Sequence, residues 1–256
     1  MSKSWIFHCF AFVILLSGCE SWNKQSVVVR DNNGKKITEY TLWKGMYHGD
    51  VVEWRQGTKE RVSVYHRGKL RSRTVYFVPS GKKKTYMAFA RNKVRIIKHY
   101  FPNGKKRSQT KRTLFKGKVK EVTMTWFKSG FMKTFLSKFD GKRKVISVRW
   151  YANSKKASET HFSFGKRNGK SWTWYRDGMF RLQGHYRGGK PHGRWLRWNA
   201  KGKKISRAHY RRGIPCGKWK NWDDNGKPTQ STDPILKTGS CTPTPWGARC
   251  ARCPVE

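Results

Sequence analysis

The chain of 256 residues carries 58 Lys and Arg against 14 Asp and Glu, a formal net charge of +44 at pH 7. Self-repulsion on that scale disfavours a compact neutral globule and calls for charge spread over an extended body or for anionic partners. Hydrophobic residues at 36% are few for a large core, thirteen Trp are too many for a disordered basic tail, and the shortage of acids leaves little for acid–base catalysis or hard-metal binding, so a binding protein without cofactor is expected rather than an enzyme.

In chain order the first element is a targeting segment. Lys3 gives residues 1–18 a positive start, an apolar run follows from Trp5 to Leu16, and Ser17 and Gly18 close it before Cys19. The run is short for a membrane span and ends in small residues, as an export signal does. Leu16-Ser17-Gly18-Cys19 resembles the lipobox of bacterial lipoproteins. That resemblance implies loss of residues 1–18, acylation of Cys19 and attachment to a membrane through lipid. In such lipoproteins an aspartate after the cysteine resembles an inner-membrane retention signal; Glu20 stands there instead, which by the same resemblance points to the outer rather than the inner membrane in a cell that has both. Residues 19–41 read as a linker and a partial repeat, Val27–Arg30 running into Asp31-Asn32-Asn33-Gly34.

Residues 42–227 repeat. The turn anchors Gly45, Gly68, Asn92, Gly117, Gly141, Gly165, Gly189 and Gly213 follow one another at steps of 23 to 25 residues. Nine residues after each stands a ring: Trp54, Phe77, Phe101, Trp126, Trp150, Trp174, Trp198 and Trp222. Three residues before the anchors lie apolar side chains, except in the fifth copy, where Lys138 takes that place and Phe139 sits one position later. A second turn signal follows each ring, at Gly57, Gly81, Gly104, Gly130, Gly178, Gly202 and Gly226, with Ser154 in the fifth copy. Two turns per unit leave two segments of strand length, so each unit is expected to be one β-hairpin. A lone hairpin is barely stable, so the expected fold is all-β: an elongated, single-layer antiparallel meander of stacked hairpins of about 24 residues. The eight rings at fixed register are expected to form its core. Trp195 and Trp219 stand three residues before Trp198 and Trp222, which places them on the opposite face as an exposed aromatic surface.

The segment Gly189-Lys190-Pro191-His192-Gly193-Arg194-Trp195-Leu196-Arg197-Trp198-Asn199-Ala200-Lys201-Gly202 resembles the MORN repeat in its bacterial, YwqK-like variant, and the copies from Gly165 and Gly213 match it. The resemblance covers residues 162–227 and fades upstream: a second turn glycine is kept at Gly49, Gly169, Gly193 and Gly217 and replaced by Ser72, Ile96, Glu121 and Val145 in the middle copies. It implies a sheet of stacked hairpins used for binding. The antitoxin label attached to YwqK-like proteins fits an exported chain poorly.

Residues 61–120 hold twenty Lys and Arg and no acid. Lys82, Lys83, Lys84, Lys105, Lys106, Arg107, Lys111 and Arg112 are read as lying at or just after turns, while Arg67, Lys69, Arg71 and Arg73 alternate, which on a regular strand projects all four from one face. Like charges so arranged repel unless an anion neutralises them. The expected partners are therefore lipopolysaccharide or phospholipid phosphates, anionic wall polymers, or nucleic acid without sequence recognition. A surface for another envelope protein is the alternative.

Of six cysteines, Cys9 leaves with the signal and Cys19 carries lipid, leaving Cys216, Cys241, Cys250 and Cys253. In an exported chain these suggest two disulfides of three alternative connectivities. Residues 228–256, rich in Pro and Thr, read as an irregular cap that a bridge from Cys216 in the last hairpin turn would pin over the sheet edge. Cys250-Ala251-Arg252-Cys253 has redox spacing without the strand-to-helix setting of thioredoxin-like domains, and a four-cysteine zinc site is the other reading. The histidines, such as His48, His66, His185, His192 and His209, fall beside turns outside metal-ligand spacing and read as solvated.

Overall fold

The computed structural model describes residues 12–15, 24–90, 93–141 and 143–229, and among them it has twenty β-strands and no helix. The chain divides into two compact units, Met1–Arg112 and Thr113–Glu256. The first contains β1 (Phe12–Leu15), β2 (Lys24–Arg30), β3 (Lys36–Trp43), β4 (Met46–Tyr47), β5 (Gly49–Arg55), β6 (Thr58–His66), β7 (Lys69–Tyr76), β8 (Lys83–Ala90), β9 (Lys93–Tyr100) and most of β10 (Lys106–Phe115). The second contains β11 (Lys118–Trp126), β12 (Met132–Phe139), β13 (Lys144–Trp150), β14 (Lys156–Ser163), β15 (Lys166–Trp174), β16 (Phe180–Arg187), β17 (Lys190–Trp198), β18 (Lys204–Arg211), β19 (Ile214–Trp222) and β20 (Pro228–Thr229). Within each unit, successive strands pair antiparallel, with β4 a short step beside β3. The expected all-β meander of hairpins is thus the fold. Phe12–Leu15, from the apolar run assigned to the signal, pairs with Val27–Arg30; Cys19 and residues 230–256, with Cys241, Cys250, Cys253 and the expected cap, lie outside the described residues.

Two kinds of turn set the 24-residue rhythm. On one edge, two-residue turns place both residues at positive φ, as in Lys44-Gly45 (50° and 71°), Lys116-Gly117 (49° and 72°) and Arg212-Gly213 (49° and 90°). That is the type I′ turn, whose twist matches that of the strands it joins. On the other edge a five-residue loop recurs: in Asn199–Lys203 the Asn199 N–H donates to the Lys203 carbonyl and the Gly202 N–H to the Asn199 carbonyl. The fourth residue is left-handed, normally glycine, and Ser154 (φ 68°) adopts the same conformation in the fifth copy. The second residue of the strand that follows adds a bulge beside the ring: Trp126 pairs with Met132 while Thr125 pairs with Thr134, leaving Lys133 between them.

The glycines read as second turns are not turns. Gly169, Gly193 and Gly217 lie inside β15, β17 and β19 at positive φ, where three residues oppose one on the neighbouring strand. In copies without that glycine the bulge shrinks to a single residue, Arg71 or Arg95, or disappears, as between β12 and β13.

The eight periodic rings are not the innermost side chains, contrary to their expected role as the core. Trp54, Phe77, Phe101, Trp126, Trp150, Trp174, Trp198 and Trp222 are all half-buried, because each closes a strand beside a loop in a sheet one layer thick. Among the described residues the buried side chains are Val27, Val51, Ser63, Val148, Ser171, Trp195, Ala208 and Cys216. In the second unit most belong to a transverse row: Ser147 faces Thr160, Thr160 faces Ser171, Ser171 faces Gly184, and Trp195 faces Ala208. Trp195, expected to be exposed, is 8% accessible, and its indole lies so close over Gly184 that a Cβ there would approach Cδ2 to 2.3 Å. Small residues at the strand centres make room for large rings from the next strand.

Adjacent units are also tied loop to loop. The Tyr151 hydroxyl donates to the Trp174 carbonyl (2.8 Å) and the Tyr175 hydroxyl to the Trp198 carbonyl (2.9 Å). Asn153 donates through Nδ2 to the Arg176 carbonyl (2.7 Å), and the Lys203 ammonium to the Asn225 carbonyl (3.0 Å). The Lys155 ammonium makes the equivalent contact with the Asp177 carbonyl.

Candidate functional site

The basic run on β7 is split by its bulge. Tyr65 pairs with Leu70 and Val64 with Ser72, so Arg71 is the extra residue and the alternation changes phase there. Lys69 is opposite His66, whereas Arg73 is opposite Ser63, and the two lie on different faces. Arg67 is not on the strand: it occupies the left-handed turn position (φ 48°), its guanidinium is over the Trp43 ring at 5.4 Å, and its N–H donates to His48 Nδ1 (3.4 Å). Arg73 is half-buried and donates from Nε to the hydroxyl of Ser63 (3.1 Å), itself 1% exposed. The expectation that the four cations share one face therefore fails, and Arg73 serves the sheet's interior.

The other cations stand where an anion could reach them. Lys82 ends the loop before β8, which Lys83 and Lys84 open, and Lys105 ends the loop before β10, which Lys106 and Arg107 open; all six are exposed. These loops open alternate strands on the same edge, about 10 Å apart. Lys111 and Arg112 are also exposed but lie within β10, away from any turn. Arg61 is paired with Glu53 (2.8 Å) and Lys118 with Asp140 (3.5 Å). Lys69, Arg71, Lys82 and Lys83 have no ion-pair partner among the described residues. Rings interleave the charges, the Lys84 ammonium over Phe77 at 5.8 Å and that of Lys98 over Tyr86 at 5.3 Å.

Several histidines have structural work rather than a merely solvated place beside turns. His48 and His192, both three residues after a turn anchor, accept through Nδ1 from the N–H of Arg67 and of Arg212 (3.3 Å) in the next unit's turn; Asn168 Oδ1 does the same for Gly188 (3.4 Å). Their shared register was the available signal. His66 lies 5.2 Å from His48, ring to ring, and His185 6.4 Å from His192. Burial, then the neighbouring His48, Arg71 and Arg67, lower the pKa of His66; burial, then His192, Arg187 and Lys170, lower that of His185.

The aromatic residues form two ladders in the second unit. On one face Tyr186, Trp195, Tyr210 and Trp219 succeed one another at centroid distances of 5.0, 6.2 and 5.6 Å. On the other, Trp172, Trp174, Phe180 and Trp198 follow at 6.4, 5.6 and 5.7 Å. Trp195 and Trp198 thus lie on opposite faces as their parity requires, but Trp219, like Trp195 expected to be exposed, is half-buried, and the most exposed rings among the described residues are Phe164 (70%) and Phe131 (52%). Cys216 is fully buried within β19 rather than in a turn. Among the described residues no three His, Cys, Asp or Glu side chains converge as a metal site.

Comparison with known protein-family models finds no match to this chain, and comparison with curated proteins finds none either.

Proposed function

We propose that the chain is an exported, lipid-anchored binding protein, held to a membrane through Cys19, whose first unit captures an anionic polymer or anionic headgroups at the cell envelope. The observation that carries the proposal is the exposure of Lys69, Arg71, Lys82 and Lys83, unpaired among the described residues, in a segment of residues 61–120 that contains no acid. Cations brought together without counter-charges repel, and a ligand that neutralises them removes the repulsion. The likeness of residues 189–202 to the MORN repeat supports a binding role. Retention on immobilised polyphosphate should fall steeply as salt rises, and replacing Lys82, Lys83 and Lys84 by Gln should lower the slope of log affinity against log salt by roughly 0.7 to 0.9 for each phosphate no longer neutralised. Arg73→Gln, which removes the bond to Ser63, should lower stability and leave that slope unchanged. Retention indifferent to salt overturns the proposal. It would favour docking to another envelope protein through exposed apolar side chains such as Phe164 and Phe131, an association that survives about 1 M salt. The anchor is tested by palmitate labelling, which Cys19→Ala should abolish.

A further inference from the structure

The fifth unit breaks the repeat pattern in a way that builds a pocket. Its ring at Phe139 stands one position later than Phe162, Tyr186 and Tyr210 in the units that follow. Because the β12–β13 register runs without a bulge, Phe139 falls directly between two lysines, opposite Lys120 on β11 and opposite Lys144 on β13. One pair further along the same face, Ser137 is opposite Ile146. At the positions of Phe139 the later units carry Ser163, Arg187 and Arg211, and at that of Ile146 they carry Lys170, Arg194 and Lys218. Apolar side chains therefore occupy a patch that is polar or charged in every later unit.

The patch is concave. A cavity of about 590 Å³ is lined by Leu114, Phe139, Ile146, Ser137, Lys120 and Lys144 with one further residue, and none of its lining residues is acidic. That volume falls within the range of small-molecule sites, roughly 300–1,000 Å³. Leu114 is 58% and Ile146 38% exposed, and both lysines are exposed. The neighbouring carboxylates are already paired: Glu121 with Lys138 (3.4 Å), Asp140 with Lys118 (3.5 Å) and Arg143 (3.2 Å), and Glu159, on the same face as Ile146, with Lys156 (3.0 Å) and His161 (3.2 Å). Neither Lys120 nor Lys144 has an ion-pair partner among the described residues.

We propose that this cavity binds a medium-chain fatty carboxylate, its alkyl chain on Leu114, Phe139 and Ile146 and its carboxylate between Lys120 and Lys144. A neutral alkyl ligand leaves the two ammonium groups unused, a cationic one is repelled by them, and a hydrophilic polyanion gains nothing from the apolar floor. The site shares no residue with the basic loops of the first unit and stands independently of their function.

Isothermal titration of the full chain with sodium dodecanoate, below its micelle concentration, tests the assignment beside dodecyl maltoside and dodecyltrimethylammonium. Dodecanoate should bind with a stoichiometry of about one and at least about tenfold more tightly than the other two. The pair Lys120→Gln and Lys144→Gln should weaken dodecanoate about tenfold or more and leave dodecyl maltoside unchanged, and Ile146→Glu should weaken both. Replacing Lys82, Lys83 and Lys84 by Gln should not affect dodecanoate, which separates this site from the polyanion surface. Absence of dodecanoate binding, equal affinity for the three amphiphiles, or indifference to both the lysine pair and Ile146→Glu overturns the proposal.

Discussion

Gly184→Ala probes how the interior of the second unit is built. The new Cβ would meet the Trp195 indole at 2.3 Å from Cδ2, 2.4 Å from Cε2 and 2.5 Å from Cε3, distances that non-bonded carbons do not reach, so the ring must move. It is hemmed in by Tyr186 at 5.0 Å, Tyr210 at 6.2 Å and Ala208 across the strand pair. Overpacking a filled site costs about 1–3 kcal/mol, and the smaller unfolded-state entropy of alanine returns roughly 0.4–1 kcal/mol. A net loss of about 1–2 kcal/mol is expected, read as a lower midpoint in urea by circular dichroism and by tryptophan emission. Adding Trp195→Leu, which makes room for the methyl group, should turn the Gly184→Ala penalty into a gain, a coupling of at least about 1 kcal/mol in the double-mutant cycle. A neutral Gly184→Ala, or strictly additive effects, would refute the close packing of ring on glycine.

Three further outcomes follow from the geometry. Tyr175→Phe removes the bond to the Trp198 carbonyl and should cost about 1 kcal/mol, with faster amide exchange concentrated where β15 and β17 meet their shared loop edge. His66 and His185 both have pKa values below the usual 6.5 in the folded chain, so the unfolded chain takes up protons more readily. Their contribution is fully present above 6.5 and is lost as pH falls through that value; the melting temperature should drop between about pH 7.5 and 5.5 and drop less in the double Gln variant, whereas a flat profile contradicts it. Phe164 holds a left-handed turn position (φ 49°) at 70% exposure, a conformation that disfavours bulky residues, and Phe164→Asn should stabilise the chain by about 1 kcal/mol in thermal melts.

The hairpins were readable because both kinds of turn demand a residue at positive φ, and glycine in that role writes its own period into the chain. The single-residue bulges, at Arg71 and Arg95, leave no such mark. Arg71 changes the phase of β7 although nothing in Arg67, Lys69, Arg71 and Arg73 distinguishes it, so strict alternation misplaced the run. The rings at fixed register mark strand ends rather than the interior, while several of the buried positions, Ser63, Ser171, Gly184 and Ala208, are small and vary from copy to copy. Tyr151 and Tyr175 are less conspicuous than the tryptophans beside them, though both stand ten residues after a turn anchor and reach the equivalent carbonyl one repeat on.

Those side-chain ties all point one way along the chain, each donor reaching a carbonyl belonging to the unit that follows. An array joined so has a direction, like a row of hooks and eyes. Each copy so tied, between Tyr151 and Asn225, presents eyes behind and hooks ahead, so excision or duplication of one entire period there leaves matching ends to close up, while removal of half a period brings two unlike edges together. Length in such a protein is adjustable in whole steps.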